Sequence, residues 1–511
     1  MGTILRLAVR NLRQHKSKTI IIALFLIFGI AIVILGNSFL ESVNRGLEKD
    51  FRANYTGDLV LSIMPNKGEP IDIFEVNTTN MTGQIQQIPA LPEIERVQKI
   101  IEDTEEIEKF TKQISAKVLV AEDGEFDMSA FSENDDLGLM DLPIAMLFAG
   151  EKETYWKTFD SINLLEGKVP EDGSDELLIE ERVKRNFEKT YKKPLNLGDK
   201  ILVMGANSDG IIREGTVAGI FRPNNENSAM FQIIYSAPSF ARSFANLTYA
   251  SSFKEELPES VDLNLASMSE EDLFDSMFED SFDEGDELIS SAPADFNEIL
   301  GSTELRDQLN KTDDGAWNFI LAKVKNPSKA DSVIACLRQT LSDEGITNVQ
   351  VMDWKSAAYS YSASVEGIGI IFNILIIILA VVVFIIIMNT MTVSVIERTG
   401  EIGTMRAIGA EKKFVQKLFY TESLFLTFVS AVIGIILAFI IMAIFNSFQI
   451  TITNEIAKML LGGGLLHFSP TFKIIIVTLI VSLLGSVVSN IYPVNSALKI
   501  TPLKALSKGS E

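Results

Sequence analysis

Few side chains in this sequence have the types and spacing that chemistry needs. The chain holds two histidines, His15 and His467, and one cysteine, Cys336, each distant from the others in sequence. No set of them has the ligand spacing of a metal site, so no metal and no cofactor are expected. No G-x-x-x-x-G-K-[ST] phosphate loop occurs in the 511 residues, and no catalytic residue is assigned. Cys336 has no internal disulfide partner, so any part of the chain held outside the cytosol must rest on an ordinary hydrophobic core.

The most informative cluster is ERTGEIGTMRAIGA, residues 397–410. Its apolar members, Ile402, Met405 and Ile408 with Gly409, fall near one face at helical spacing, while Glu397, Arg398, Glu401 and Arg406 supply charge elsewhere. A short helix of this kind has no membrane-spanning role, and its apolar face suits the groove of a partner protein. The alternative is a charged loop that returns the chain to the membrane, and periodicity alone leaves the two even.

Four long apolar runs must position that segment, and with a mean hydropathy of +0.21 they place the chain among integral membrane proteins. The predicted spans are 19–40, 366–393, 418–445 and 472–492, each about 20 residues or more and long enough to cross a hydrocarbon core of about 30 Å. The first is too long for a signal peptide and no A-x-A cleavage site follows, so it reads as a retained anchor. Arg6, Arg10, Arg13, Lys16 and Lys18 precede it; Arg398, Arg406, Lys412, Lys413 and Lys417 separate the second and third spans; Lys499, Lys504 and Lys508 follow the fourth. Segments 1–18, 394–417 and 493–511 are therefore expected in the cytoplasm, with 41–365 and 446–471 outside.

Arg6, Arg10 and Arg13 recur opposite Leu5, Ala8 and Leu12, which fits either a short amphipathic helix on the inner membrane surface or a solvated basic flank. Gly29 and Gly36 in the first span, and Ser482, Gly485, Ser486 and Ser489 in the fourth, are small residues spaced for close helix approach. Glu422 lies about one turn inside the third span, where snorkelling to the headgroups is expected and a partner across the bundle is the alternative.

Between the first two spans the composition changes. The net charge of the chain is -23, and residues 41–366 alone carry an acidic excess of roughly 30. Short β-prone runs at 58–64, 177–179, 200–204 and 216–221, and a strand, helix and strand over 318–324, 329–344 and 348–352, predict a mixed α+β domain. Residues 251–296, dense in Asp, Glu and Ser, read as a mobile acidic insertion.

NTMTVSVIERTGEIGTMRAIGA, residues 389–410, resembles the signature of the ABC permease family that includes MacB, LolC, LolE and FtsX. EGKVPEDGSDELLIEE, NLGDKI and GTVAGIF, within 166–221, resemble the core of that family's outer domain. YPVNSALKITPLKAL at 492–506 and LAVRNLRQHKSKT at 7–19 resemble its closing and opening patterns. The resemblance implies an α-helical membrane protein with four transmembrane helices and a large extracytoplasmic α+β domain, a MacB-like core, inserted between the first and second spans. It implies an inner-membrane permease subunit without catalytic residues, coupled through residues 397–409 to a separate ABC ATP-binding subunit and paired with a second permease copy as a homodimer or heterodimer. Lipoprotein release, with a lipoprotein or lipid-like cargo, is the favoured reading. A MacB-like efflux permease and an FtsX-like transducer that controls a peptidoglycan hydrolase are the alternatives, and no nucleic-acid partner is expected.

Overall fold

The computed structural model describes residues 2–14, 16–65, 71–74, 88–122, 144–206, 211–224, 232–248, 311–450 and 467–498. The expected acidic insertion at 251–296 and the tail beyond 498 lie outside the described residues. The chain divides into a helical unit, made by Met1–Phe51 and Ser360–Glu511, and an α+β unit, made by Arg52–Asn224 and Phe231–Tyr359.

The helical unit opens with α1 (Gly2–Gln14) and α2 (Lys16–Asn54). The basic N-terminal segment is helical, with Ala8 fully buried while Arg6, Arg10 and Arg13 are exposed. Leu12 packs with Ile22, Leu26 and Leu426, which seats α1 against the bundle. Past its apolar run α2 stays helical because Val43, Leu47 and Phe51 recur on one buried stripe, and Phe51 stacks on Tyr361 with ring centroids 4.9 Å apart.

The α+β unit follows in the order β1 (Leu59–Ile63), α3 (Ile94–Glu102), β2 (Ile107–Glu122), β3 (Ile144–Gly150), α4 (Lys152–Thr158), β4 (Ile162–Gly167), β5 (Glu176–Glu180), α5 (Glu181–Tyr191), β6 (Lys200–Gly205), β7 (Ile212–Pro223), β8 (Gln232–Ser236), α6 (Pro238–Phe244), β9 (Phe319–Val324), α7 (Ala330–Asp343), β10 (Val349–Asp353) and α8 (Trp354–Ala357). Six strands close on themselves in the order β2-β3-β8-β5-β7-β6 and back to β2, with β4 added outside β7. Their inward side chains, among them Val118, Leu147, Ile179, Val203, Val217 and Ile234, make one dry core with α5 and α6. Closure removes the free edges that a strand-rich unit would otherwise expose.

An open antiparallel sheet, β10-β1-β9-β2, extends from this ring. The expected strand-helix-strand is β9-α7-β10, and β1 is inserted between its two strands. Leu337 and Leu341 of α7, with Val97 and Ile101 of α3, cover one face of the sheet and bury Leu59, Leu61, Ile320 and Ala322. Each such apolar side chain removed from water contributes about 1.5–3 kcal/mol. β2 serves both parts: Ile107–Gln113 pairs with β9, and Val118–Glu122 pairs with β6.

The helical unit is completed by α9 (Tyr359–Glu397), α10 (Thr399–Ala407), α11 (Lys412–Phe448) and α12 (Phe472–Leu498). Among the described residues, four helical stretches are long and apolar enough to cross a membrane: Thr19–Asn54, Tyr359–Ile386, Lys412–Phe448 and Phe472–Asn495.

Two ion pairs give the α+β unit a pH dependence. Arg222 donates Nε to Glu181 Oε2 at 2.8 Å and Nη2 to Oε1 at 3.0 Å, and this holds the Glu181 carboxyl below its ordinary range. Lys168 lowers Glu176 in the same way. A depressed folded-state pKa stabilises above the unfolded carboxylate value of about 4.3, and that stability is lost as pH falls through the folded value. Acidification below the ordinary carboxylate range is therefore expected to loosen this unit, with Glu181→Gln flattening part of the slope. Fluorescence of Trp156, Trp317 and Trp354, which all lie in the α+β unit, followed during thermal unfolding at neutral and acid pH, checks this.

Candidate functional site

Residues 397–410 form a short helix held between two spans. α9 ends at Glu397, Arg398 leaves the helical path with φ −94° and ψ 12°, and α10 starts at Thr399. Thr399 Oγ1 donates to the Ile396 carbonyl at 2.6 Å, satisfying one of the carbonyls that the end of α9 frees. α10 closes with a paired turn: the Ala410 N–H donates to the Met405 carbonyl at 2.9 Å and the Gly409 N–H to the Arg406 carbonyl at 3.2 Å. Gly409 sits at φ +105°, a conformation that side chains with a Cβ rarely adopt, which is why glycine ends this helix.

The underside of α10 is built on Arg398. Its side chain is 3% exposed, and Nη1 donates to both oxygens of Glu422 on α11, at 3.2 and 3.1 Å. Nε donates to Glu401 at 3.1 Å, and the guanidinium carbon lies 5.3 Å from the centre of the Phe419 ring. One cation thus meets two carboxylates and an aromatic face, which together offset the cost of taking it out of water. The snorkelling expected for Glu422 is corrected: the residue is 8% exposed and turned into the bundle, because the buried Arg398 Nη1 meets both of its oxygens there.

Burial also divides the residues expected to face a partner. Ile402 is 4% exposed and packs with Val395, Val415, Phe419 and Val494. Arg398 and Ile402 therefore belong to the support of α10 and not to its outward surface. Glu397, Glu401 and Gly409 are exposed, and Met405 and Arg406 are half-buried. Ile408, the last residue before the glycine, is 83% exposed. The helical spacing located the cluster; which stripe turned inward was decided by α11 and α12.

The small residues divide similarly. A Cβ added at Gly36 would meet the Phe372 ring at 1.9 Å, so α2 and α9 approach closely there. Ser486 Oγ lies 2.7 Å from Ser423 Oγ, Asn490 Nδ2 donates to Ser423 Oγ at 2.5 Å, and buried Ser489 donates to the Ser486 carbonyl at 2.9 Å, so this end of α12 is tied to α11. Gly485 does not pack: nothing lies within 4 Å of where its Cβ would stand, and with Gly29 and Ser482 it lines a cavity. Gly434 was not singled out by spacing, yet a Cβ there would meet the Ile27 carbonyl at 2.9 Å. Asn446 was missed too. Its amide exchanges two hydrogen bonds with the Phe468 backbone, at 3.0 and 2.9 Å, while Ser469 N–H donates to Ser42 Oγ at 2.7 Å, joining α11, α2 and the lead into α12. A polar residue near a span end carries no mark in sequence that separates such a tie from a headgroup anchor.

Among the described residues no cluster of His, Cys, Asp and Glu could hold a metal. The arrangement holds one short helix in a fixed pose at the end of a bundle of long apolar helices. The family model of the MacB-like periplasmic core domain matches residues 19–269, and that of the FtsX-like permease C-terminal domain matches residues 373–502. The chain belongs to the MacB/FtsX family of ABC permeases. It is 25% identical over 214 residues to an uncharacterised ABC transporter permease of Methanocaldococcus jannaschii, covering 42% of this chain and 51% of that one. It is 35% identical over 122 residues to the macrolide export ATP-binding/permease protein MacB of Mannheimia succiniciproducens, covering 24% and 17%. It is 32% identical over 179 residues to the ABC transporter permease YtrF of Bacillus subtilis, covering 34% and 39%. The chain thus spans about half of the first relative's length and less of the other two.

Glu422→Gln leaves the Arg398 charge buried with its best partner gone, and a loss of about 3–5 kcal/mol in stability is expected. The paired change Arg398→Met with Glu422→Leu removes both charges and is expected to cost far less. Reversible unfolding of the three proteins in mixed micelles measures the difference.

Proposed function

We propose that this chain is the permease subunit of an ABC transporter whose ATP-binding subunit is a separate chain, docked on the surface that Met405, Ile408 and Gly409 present. The observation that carries the reading is Ile408, a large apolar residue 83% exposed on a helix whose underside is pinned by a buried ion pair. Burying such a side chain in a partner's groove contributes about 1.5–3 kcal/mol, and the fixed pose of α10 spares the partner the cost of ordering it. The exposed carboxylates of Glu397 and Glu401 flank the surface and favour a groove with basic rims. In this reading the chain lies in the inner membrane with both termini in the cytoplasm and the MacB-like core on the far side. A second permease copy completes the machine, and ATP-driven motion of α10 is passed through the spans.

Lipoprotein release from the membrane is the cargo reading we favour, on the LolC-like and LolE-like layout of the chain and the lack of a phosphate loop in these 511 residues. The similarity to a macrolide export protein supports efflux as the second reading. Mass spectrometry of chains that co-purify with the gently extracted protein separates them by the cargo or adaptor found.

Replacing both Met405 and Ile408 with Asp is expected to leave insertion intact and to abolish association with the ATP-binding subunit, because a charge would be buried unpaired in the groove. Undiminished co-purification of the double variant with that subunit overturns the docking assignment.

A further inference from the structure

The open sheet of the α+β unit ends at β10, the terminal strand in the order β10-β1-β9-β2. The Met64 N–H donates to the Asn348 carbonyl at 2.7 Å, and the ladder continues with Gln350 opposite Ser62 and Met352 opposite Val60. Antiparallel pairing turns alternate residues towards the neighbouring strand. Asn348, Gln350 and Met352 therefore face β1, while Val349 and Val351 turn their backbone groups out of the sheet edge. The position of Arg338 on α7 agrees: its Nε and Nη2 donate to the Val351 carbonyl at 3.0 and 2.6 Å. Such an edge is a template for one more strand.

A cleft of about 710 Å³ follows this edge. Val349, Gln350, Val351 and Met352 all line it, and because successive strand side chains point to opposite faces, a space touched by four in a row runs along the edge and not over one face. Its outer walls include Met64, Leu341 and Ile346. The five residues of β10 span about 17 Å, the length of an extended pentapeptide. Charge decides what kind of strand fits. Arg338 is exposed and makes no ion pair among the described residues, and none of the described residues that line the cleft is a carboxylate. The acids nearby in sequence are engaged: Asp343 accepts from Gln339 at 3.0 Å, Glu344 lies 3.7 Å from Arg96, and Asp353 accepts the Ser356 N–H at 2.9 Å. A guanidinium has five N–H donors, of which the Val351 carbonyl takes two, and the remainder suit a carboxylate. The β10 strand of a second copy does not fit, because edge-to-edge pairing would set two uncompensated Arg338 side chains against each other.

We propose that the edge of β10 binds an extended peptide segment of a partner protein, added to the sheet as a further strand and carrying an Asp or Glu side chain that Arg338 holds. Val349 supplies its N–H and C=O and Val351 its N–H to the new ladder, and Arg338 supplies the selection for acid. The site lies within the α+β unit and does not rest on the docking reading of α10.

The full-length chain in lipid nanodiscs is to be the target of a random decapeptide library displayed on phage, with empty nanodiscs as the control. Selected peptides are expected to alternate apolar residues and to carry an Asp or Glu. The most enriched of them, made synthetically with a fluorescent label, is expected to bind Arg338→Glu about tenfold or more weakly by anisotropy. Its addition is expected to slow hydrogen exchange at the Val349 and Val351 amides. Arg338 is exposed, so its replacement is expected to leave thermal unfolding nearly unchanged. Val349→Pro, which removes one outward N–H at a position where an edge strand tolerates proline, is expected to weaken binding without changing the preference for acid. No enrichment over empty nanodiscs, equal affinity for Arg338→Glu, or unchanged exchange at the two amides overturns the proposal. So does efficient disulfide cross-linking between copies through Gln350→Cys in a Cys336→Ser background, since a second copy would then occupy the edge.

Discussion

The pairing of Arg398 with Glu422 is the constraint on which the pose of α10 depends. A guanidinium taken out of water at the junction of α9 and α10 must find acceptors, and the two Glu422 oxygens on α11, met by Nη1 at 3.2 and 3.1 Å, supply them. Once that pair forms, the start of α10 is fixed against α11, Ile402 is forced into the cluster around Phe419, and the opposite stripe is turned outward. Gly409 then lets the chain reverse within one residue of Ile408, so the most exposed large apolar side chain of the turn sits at its tip. A salt bridge of this kind is weak evidence for stability, since well-packed apolar residues can replace it. What it provides is orientation, and orientation is what a docking element needs.

Polar ties hold the spans near both ends. Ser423, Ser486 and Asn490 join α11 to α12 at one end, and Asn446, Phe468 and Ser42 join α11, α12 and α2 at the other. In lipid, apolar side chains gain little by choosing one another over acyl chains, so hydrogen bonds and close contact at Gly36 and Gly434 have to specify the bundle. At Gly485 nothing lies within 4 Å of where a Cβ would stand, so there the same smallness leaves open space instead of a contact.

In the α+β unit the corresponding element is β2. Its sixteen residues are long enough for one half to pair in the open sheet and the other in the closed ring, so a single strand carries two cores. The ring needs no covering partner for its edges, while the open sheet relies on α3 and α7 for its covered face. Both cores are built without a disulfide, as the single cysteine, exposed on α7, requires.

Four spans, the α+β character of the region between the first two and the short helix within 397–410 were legible in the sequence, because each rests on local quantities: runs of apolar residues, alternation, and a helical period next to charge. Gly409 could be read in the same way, since its conformation is dictated within one turn. The partner of Glu422, the inward course of Arg398 and Ile402, the ties made by Asn446 and the open space beside Gly485 were not legible, since each depends on which helix lies opposite. A carboxylate one turn inside a span looks the same in sequence whether it reaches for headgroups or for an arginine 24 positions earlier. Sequence by itself determined the four spans and some of the strands between the first two, but not β2, β3, β4 or β8; tertiary structure decided which face of each element is shared, because burial and pairing are properties of two surfaces and not of one.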